Sequence, residues 1–171
     1  LTTTDGVYID GNRTVEGDMT GPIAARMVLG DPQVDVAVLE TARGGLLRAG
    51  MGFRHCDVAA CLNVKSDHLG LRGVETLEEL AKVKRIPIEV ARDTAVLNAD
   101  DPLCLAMADY TEAKVICYVT VNPEHQLVRA HIRAGGRALA LEAGVNGQMI
   151  TIYDKGGHIP LLWTHLIPAT L

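Results

Sequence analysis

Apolar residues recur along this chain in short blocks, with no single sustained run. Val7-Tyr8-Ile9 and Arg13-Thr14-Val15 flank Asp10-Gly11-Asn12, a turn signal that predicts a hairpin within residues 2–16. Pro22 suits a first helical position and opens a helix over Ile23 to Leu29, with Thr20 as the expected cap and Gly30-Asp31-Pro32 as the stop. Val34 to Leu39 and Asp57 to Leu62 are nearly continuous apolar runs, the pattern of parallel strands covered on both faces. Residues between and after them can be helical. The longest helical candidate runs from Glu75 to Arg92, followed by a strand at Thr94 to Leu97 and a short helix from Pro102 to about Tyr110. A strand at Lys114 to Val119 then precedes a helical stretch at Pro123 to Ala134. Ala138 to Leu141 and Met149 to Tyr153 flank Gly144-Val145-Asn146-Gly147 and predict an antiparallel hairpin. The last residues, Ile159 to Leu171, carry two prolines and the only Trp and receive no element. Strand followed by helix, repeated, predicts an α/β fold: a mostly parallel sheet flanked by helices, with a small antiparallel β region toward the C-terminus. Ligands of such sheets gather outside the carboxyl ends of the strands.

Composition narrows the partners. The 171 residues amount to one domain's worth of chain. Sixteen Lys and Arg against 21 Asp and Glu give a formal net charge of -5, which removes a basic nucleic-acid footprint as the dominant feature. No apolar run approaches the roughly 18 residues of a membrane span, and no basic segment precedes an apolar one at the start. Neither nucleic acid nor membrane is expected as a partner. Cys56, Cys61, Cys104 and Cys117 show no C-x-x-C spacing and lie in apolar stretches, so they read as reduced, buried small hydrophobes of a cytoplasmic protein.

Candidate chemistry collects at two strand ends. Glu40-Thr41-Ala42-Arg43-Gly44-Gly45 follows the run ending at Leu39, and Asn63-Val64-Lys65-Ser66-Asp67-His68 follows the run ending at Leu62. If both runs are parallel members of one sheet, Glu40, Asp67 and His68 emerge at the same edge. Two carboxylates and an imidazole there suit a hard divalent cation such as Mg²⁺, or general acid-base work. The structural alternative pairs Glu40 with Arg43 and uses Asp67 to cap a turn.

Lys84 is out of place on its helix. Turning about 100° per residue from Leu77, the residues Leu80, Ala81, Ile88 and Ala91 share one arc, and Lys84 falls in its middle. Lys82 falls on the polar side, at i,i+4 from Glu78. A buried ammonium must be paired, lose its charge, or snorkel to the surface. Pro87 removes a backbone donor and is expected to kink the helix one turn later. Further on, Asp101 before Pro102 reads as an N-cap and first helical residue, whereas Asn98 at a strand end has no such structural explanation. Gly44-Gly45, Gly50 and Gly52 make a permissive loop after Glu40 in which backbone can approach a ligand. The phosphate-cradling motif G-x-x-x-x-G-K-[ST] is absent from the 171 residues.

Several strings, in this order, resemble the central ATP-binding domain of the Mur ligase family of amide-forming ligases. They are Thr2 through Gly11, Gly17-Asp18-Met19-Thr20-Gly21-Pro22, Leu39 through Gly45, Asn63 through Gly70 and Leu97-Asn98-Ala99-Asp100-Asp101-Pro102. Leu127 through Ile132, Gly135-Gly136-Arg137 and Ile167 through Leu171 continue the likeness over the whole chain. The resemblance implies ATP and Mg²⁺, with Glu40 on the cation that bridges ATP phosphates, His68 on a second and Asp67 beside them. It also implies Asn98, Thr4 and Asp5 as nucleotide-binding residues and Lys84 as a catalytic lysine that many relatives carry as a carbamate. The strings Thr3 to Gly11 and Glu40 to Gly45 resemble one branch of the family, for which an aspartate polymer and arginine are the implied substrates. Another acceptor within the family, a non-catalytic scaffold and a metal-dependent hydrolase are the alternatives; self-association stays open. The family's phosphate loop is expected just upstream of Leu1 and its adenine-contacting segment just downstream of Leu171. The chain is therefore expected to be a piece of a larger ligase, inactive by itself.

Overall fold

The computed structural model describes residues 1–66, 69, 70 and 72–167. The chain divides into two units, Leu1–His55 and Cys56–Leu171.

In the first unit, β1 (Gly6–Ile9) and β2 (Asn12–Glu16) form the expected antiparallel hairpin. Both turn residues, Asp10 (φ 47°) and Gly11 (φ 75°), take the left-handed conformation that lets a two-residue turn follow strand twist. Helix α1 (Pro22–Leu29) starts on proline as expected and stops at Gly30. Its cap position is Gly21, with no side-chain cap. Thr20 instead donates its hydroxyl to Asp18 Oδ1 at 2.6 Å, so the expected cap is corrected: the Asp18 carboxylate claims the hydroxyl first. Val7, Ala24 and Val28 make the core of this unit, with Ile9, Val34, Ala37 and Leu39 against it.

Val34 to Leu39 does not form the expected strand. Its only ladder contact among the described residues is an isolated parallel bridge between Thr2 and Leu39, in which Thr2 N donates to Val38 O (3.0 Å) and Glu40 N donates to Thr2 O (3.2 Å). Val36 and Val38 are exposed, at 81% and 62%. An apolar run becomes a buried strand only where partners run along it, and here the pairing lasts one residue. The stretch after Glu40 is not a loop either, since α2 (Arg43–Ala49) takes in both Gly44 and Gly45.

The second unit is built on a sheet of six strands in the order β3-β4-β5-β6-β7-β8 among the described residues. The strands are β3 (Cys56–Cys61), β4 (Ala91–Asn98), β5 (Val115–Thr120), β6 (Arg137–Gly144), β7 (Gly147–Asp154) and β8 (Gly157–Trp163). The first four are mutually parallel, and β7 and β8 continue the sheet antiparallel. The expected mixed architecture is present, with β8 added and Val34 to Leu39 missing from the strands the sequence suggested. Strand β8 contains Pro160, which pairs with Thr151 beside a register shift on the outermost strand. Edges and bulges are where a residue without an N–H fits. At the other edge, β3 alternates: Ala59 and Cys61 are buried while Val58 is 56% exposed, so it is not covered on both faces.

Helices α3 (Leu77–Glu89), α4 (Pro102–Leu105, continued by a 3₁₀ turn at Ala106–Tyr110) and α5 (Gln126–Arg133) fill the crossovers. Thr76 and Glu79 close a reciprocal capping box at the start of α3. The helix ends at Glu89, two residues past Pro87 and short of the expected Arg92, because Ala91 and its successors pair into β4 beside β3. Leu80, Ile88, Leu97, Met107 and Val128 are the largest wholly buried apolar side chains of this core. Each contributes about 2 kcal/mol of burial.

Candidate functional site

The best-organised polar region of the second unit lies at the carboxyl ends of β3, β4 and β5. Cys61 and Leu97 are register partners, so β3 and β4 end side by side. Beyond β3 the chain runs through Leu62, Asn63 and Val64, and three side chains from elsewhere hold it. Asn98 Nδ2 donates to Leu62 O at 2.8 Å, Lys84 Nζ donates to Asn63 O at 3.1 Å, and Val64 N donates to Asp101 Oδ2 at 2.8 Å. Asp101 also caps α4, its other oxygen accepting from Leu103 N and Cys104 N at 3.0 and 3.2 Å. Burial works against the Asp101 carboxylate, but the N–H groups of Val64, Cys104 and Leu103 outweigh it and hold its pKa below the ordinary value. Asp100 ties the next strand, accepting from Thr120 Oγ1 at 2.5 Å and Val121 N at 2.7 Å.

Lys84 therefore does not sit free in the core. It is half-buried, with its stem along the apolar face of α3 and its amine at the sheet edge. The helical pattern located it, and the carbonyl of Asn63 is what receives it. Asn98, which the sequence left without a structural explanation, has one: besides holding Leu62 it accepts from Asp100 N at 3.0 Å, so one amide fixes the ends of two strands. The sequence reading made Asp101 a cap and left out its hold on Val64; it named Asp100 only within the string Leu97 to Pro102, with no role, and left out Thr120. Two consecutive aspartates at a strand end were the available signal, one for each neighbouring strand.

In the first unit, Glu40 leaves the Thr2 bridge with an exposed side chain. It borders a small cleft of about 10 Å³ lined also by Thr20, Gly21, Pro22, Thr41 and Gly52. That space holds about one water. Two of the four glycines approach protein closely: a Cβ on Gly45 would lie 3.3 Å from Gly21 Cα, and one on Gly52 would lie 2.5 Å from Pro22 O, whereas Gly44 and Gly50 have nothing within 4 Å. Thr4 is exposed at the entry to β1. The Asp5 carboxylate accepts from the Tyr8 hydroxyl and pairs with Arg13 at 3.4 Å, so it braces the hairpin. That hydrogen bond to Asp5 pushes the Tyr8 phenol up.

Asp67 and His68 lie outside the described residues, so the proposed meeting of Glu40, Asp67 and His68 is not described. As corrected above, Glu40 leaves a one-residue bridge and not a strand of the six-stranded sheet. Among the described residues no three His, Cys, Asp or Glu side chains gather to hold a metal. Glu40 offers the donor chemistry that a hard cation takes, an exposed carboxylate oxygen. No helix among the described residues is long and apolar enough to cross a membrane.

Comparison with known proteins agrees with this arrangement. The chain is 46% identical over 172 residues to a cyanophycin synthetase of Synechocystis sp., covering 99% of this chain and 19% of that protein. It is 44% identical over 173 residues to a cyanophycin synthetase of Crocosphaera subtropica, with 98% and 20% covered. A third, from Trichormus variabilis, is 46% identical over 166 residues, with 94% and 18% covered. The chain thus spans about a fifth of the length of these relatives. The family model described as "Mur ligase middle domain" matches residues 2–161. With the parallel strands, their laced carboxyl ends and a match that takes in nearly every residue, the chain belongs to the Mur ligase middle-domain family.

Proposed function

We propose that this chain is the nucleotide-handling domain of a cytoplasmic ATP-dependent ligase that joins arginine to a carboxylate of an aspartate polymer. The observation that carries the reading is Lys84, an amine delivered from a helix to the carboxyl end of the sheet beside Asn98, in a chain this similar to cyanophycin synthetases. We take residues 1–171 as part of one central ATP-binding domain.

A carboxylate resists direct attack by an amine because its charge is delocalised and its oxygen is a poor leaving group. Phosphoryl transfer from ATP solves this: a carboxylate oxygen attacks the terminal phosphorus, ADP leaves, and the acyl phosphate then accepts the amine with loss of phosphate. Glu40, with Asp67 and His68, would hold Mg²⁺, which when bound offsets phosphate charge. Thr4, Asp5 and Asn98 are assigned to the nucleotide. Lys84 is assigned to the reacting carboxylate and phosphate, where a fixed cation, or its carbamate beside a metal, stabilises charge as it shifts.

The test uses the full-length protein that carries this domain, supplied with ATP, an aspartate polymer and arginine. Phosphate release should require both polymer and arginine, and Lys84→Ala should lower amide formation at least 100-fold with the thermal midpoint nearly unchanged. Phosphate release independent of both substrates would overturn the acceptor assignment in favour of another carboxylate. Full turnover by Lys84→Ala would remove Lys84 from the mechanism.

A further inference from the structure

Two of the four free cysteines face each other. Cys61, at the end of β3, and Cys104, in α4, place their sulfurs 3.6 Å apart at hydrogen-bond contact, 43 residues apart in the chain. Cys104 is wholly buried and Cys61 is 7% exposed. Three residues away on each side, Val64 N and Asp101 Oδ2 clasp the same two segments. The pair is therefore held on both elements, and neither sulfur is a side chain of chance rotation. A disulfide needs the sulfurs about 2.05 Å apart, a closure of about 1.5 Å from the separation seen.

We propose that Cys61 and Cys104 form a reversible disulfide under hydroperoxide, and that this dithiol is a modification site controlling the anchor of Lys84. The inference does not depend on which carboxylate the protein acts on. In the first step the Cys61 thiolate attacks one hydroperoxide oxygen, the O–O bond breaks, and water or an alcohol leaves after taking a proton. Cys61 is then a sulfenic acid. In the second step the Cys104 sulfur attacks that sulfur, the S–O bond breaks, and the departing hydroxide takes the Cys104 proton as water. Two thiols have lost two electrons and the hydroperoxide has gained them.

The surroundings fit these roles. The Cys104 hydrogen bond draws the Cys61 thiol down against the effect of burial, and the Lys84 charge adds to it. Its partner Cys104 is pushed well up by Cys61 and by burial, as suits the group that waits as a thiol. Cys56 and Cys117 are both pushed up by burial. The link to Lys84 is one atom: Asn63 O accepts from Lys84 Nζ and lies 4.0 Å from Cys61 Sγ. Joining Cys61 to α4 removes the thiol proton from that carbonyl and fixes the segment that carries it. Burial makes the reaction slow, because the oxidant must wait for a local opening.

The experiment treats the native protein with hydrogen peroxide, removes the peroxide with catalase, and titrates remaining thiols in denaturant. Among Cys56, Cys61, Cys104 and Cys117, titratable thiols should fall from four to two. Peptide mapping without reductant should join the peptides of Cys61 and Cys104, and dithiothreitol should restore all four thiols. Cys56→Ser and Cys117→Ser should retain the cross-link, whereas Cys61→Ser and Cys104→Ala should lose it. If either of the last two fails to fold, mapping of the unmutated protein decides alone. Four surviving thiols, a cross-link between other cysteines, or sulfinic acids that dithiothreitol does not reverse would each overturn the proposal.

Discussion

Asp101 shows how much one side chain can hold. Its carboxylate takes three backbone N–H groups, two at the start of α4 and one from Val64 beyond β3. Replacing it by alanine removes the cap and leaves the buried Val64 N–H without its acceptor, a loss of about 2 kcal/mol expected in the urea midpoint. The sign of the pH dependence follows from its lowered pKa. A carboxyl group depressed on folding contributes fully above its unfolded value of about 4 and loses that contribution as pH falls through the folded value. Asp101→Asn cannot titrate, so the stability gap between it and the unmutated protein should be widest near neutrality and should narrow below about pH 4. A constant gap across that range would show that charge is not what the three N–H groups bind. The cap was legible from Asp-Pro alone, because capping is local in sequence. The contact to Val64 was not, since it joins residues 37 apart and depends on two strands ending together. Lys84 divides in the same way: helical periodicity marked it as misplaced, and only the fold supplies Asn63 as its partner.

At the level of elements, the close approach of Gly52 to α1 is the tightest glycine contact outside a turn in the first unit's helical region. A Cβ there would fall 2.5 Å from Pro22 O and 2.8 Å from Ala25 Cβ, both on α1, the first of them backbone that cannot rotate away. Gly52→Ala should therefore cost about 2 kcal/mol by urea unfolding, whereas Gly44→Ala, with nothing within 4 Å, should cost nothing from crowding and gain from helix propensity. Equal stability of the two variants would show that the segment around Gly52 moves aside freely. Sequence reading took these glycines for a ligand-facing loop because glycine marks close approach without saying to what. The Asp10-Gly11 hairpin was legible since the turn chemistry is contained in its own residues. Val34 to Leu39 and β8 failed in opposite directions. The first had strand composition but, among the described residues, only Thr2 as a ladder partner, and the second had a neighbouring strand but carried Pro160, which composition counts against a strand.

Across the whole molecule, a net charge of -5 accompanies polar chemistry concentrated at strand ends, and the sheet runs parallel through β6 and then reverses at β7 and again at β8. The parallel ladders among β3, β4, β5 and β6 need crossovers, the first of them spanning residues 62–90 between Cys61 and Ala91. The turns after β6 and β7 are two residues long. Hairpins of that kind close in about 1–10 μs, whereas ladders across long connections wait on slower loop closure. In refolding followed by pulse-labelled hydrogen exchange, amides of β7 and β8 should gain protection before those of β3. Simultaneous protection of all six strands would contradict this. The reversal at β6 thus acts as a seed: the meander zips up early and offers its inner flank as a template, so assembly of the sheet runs backward against the order in which its residues are synthesised.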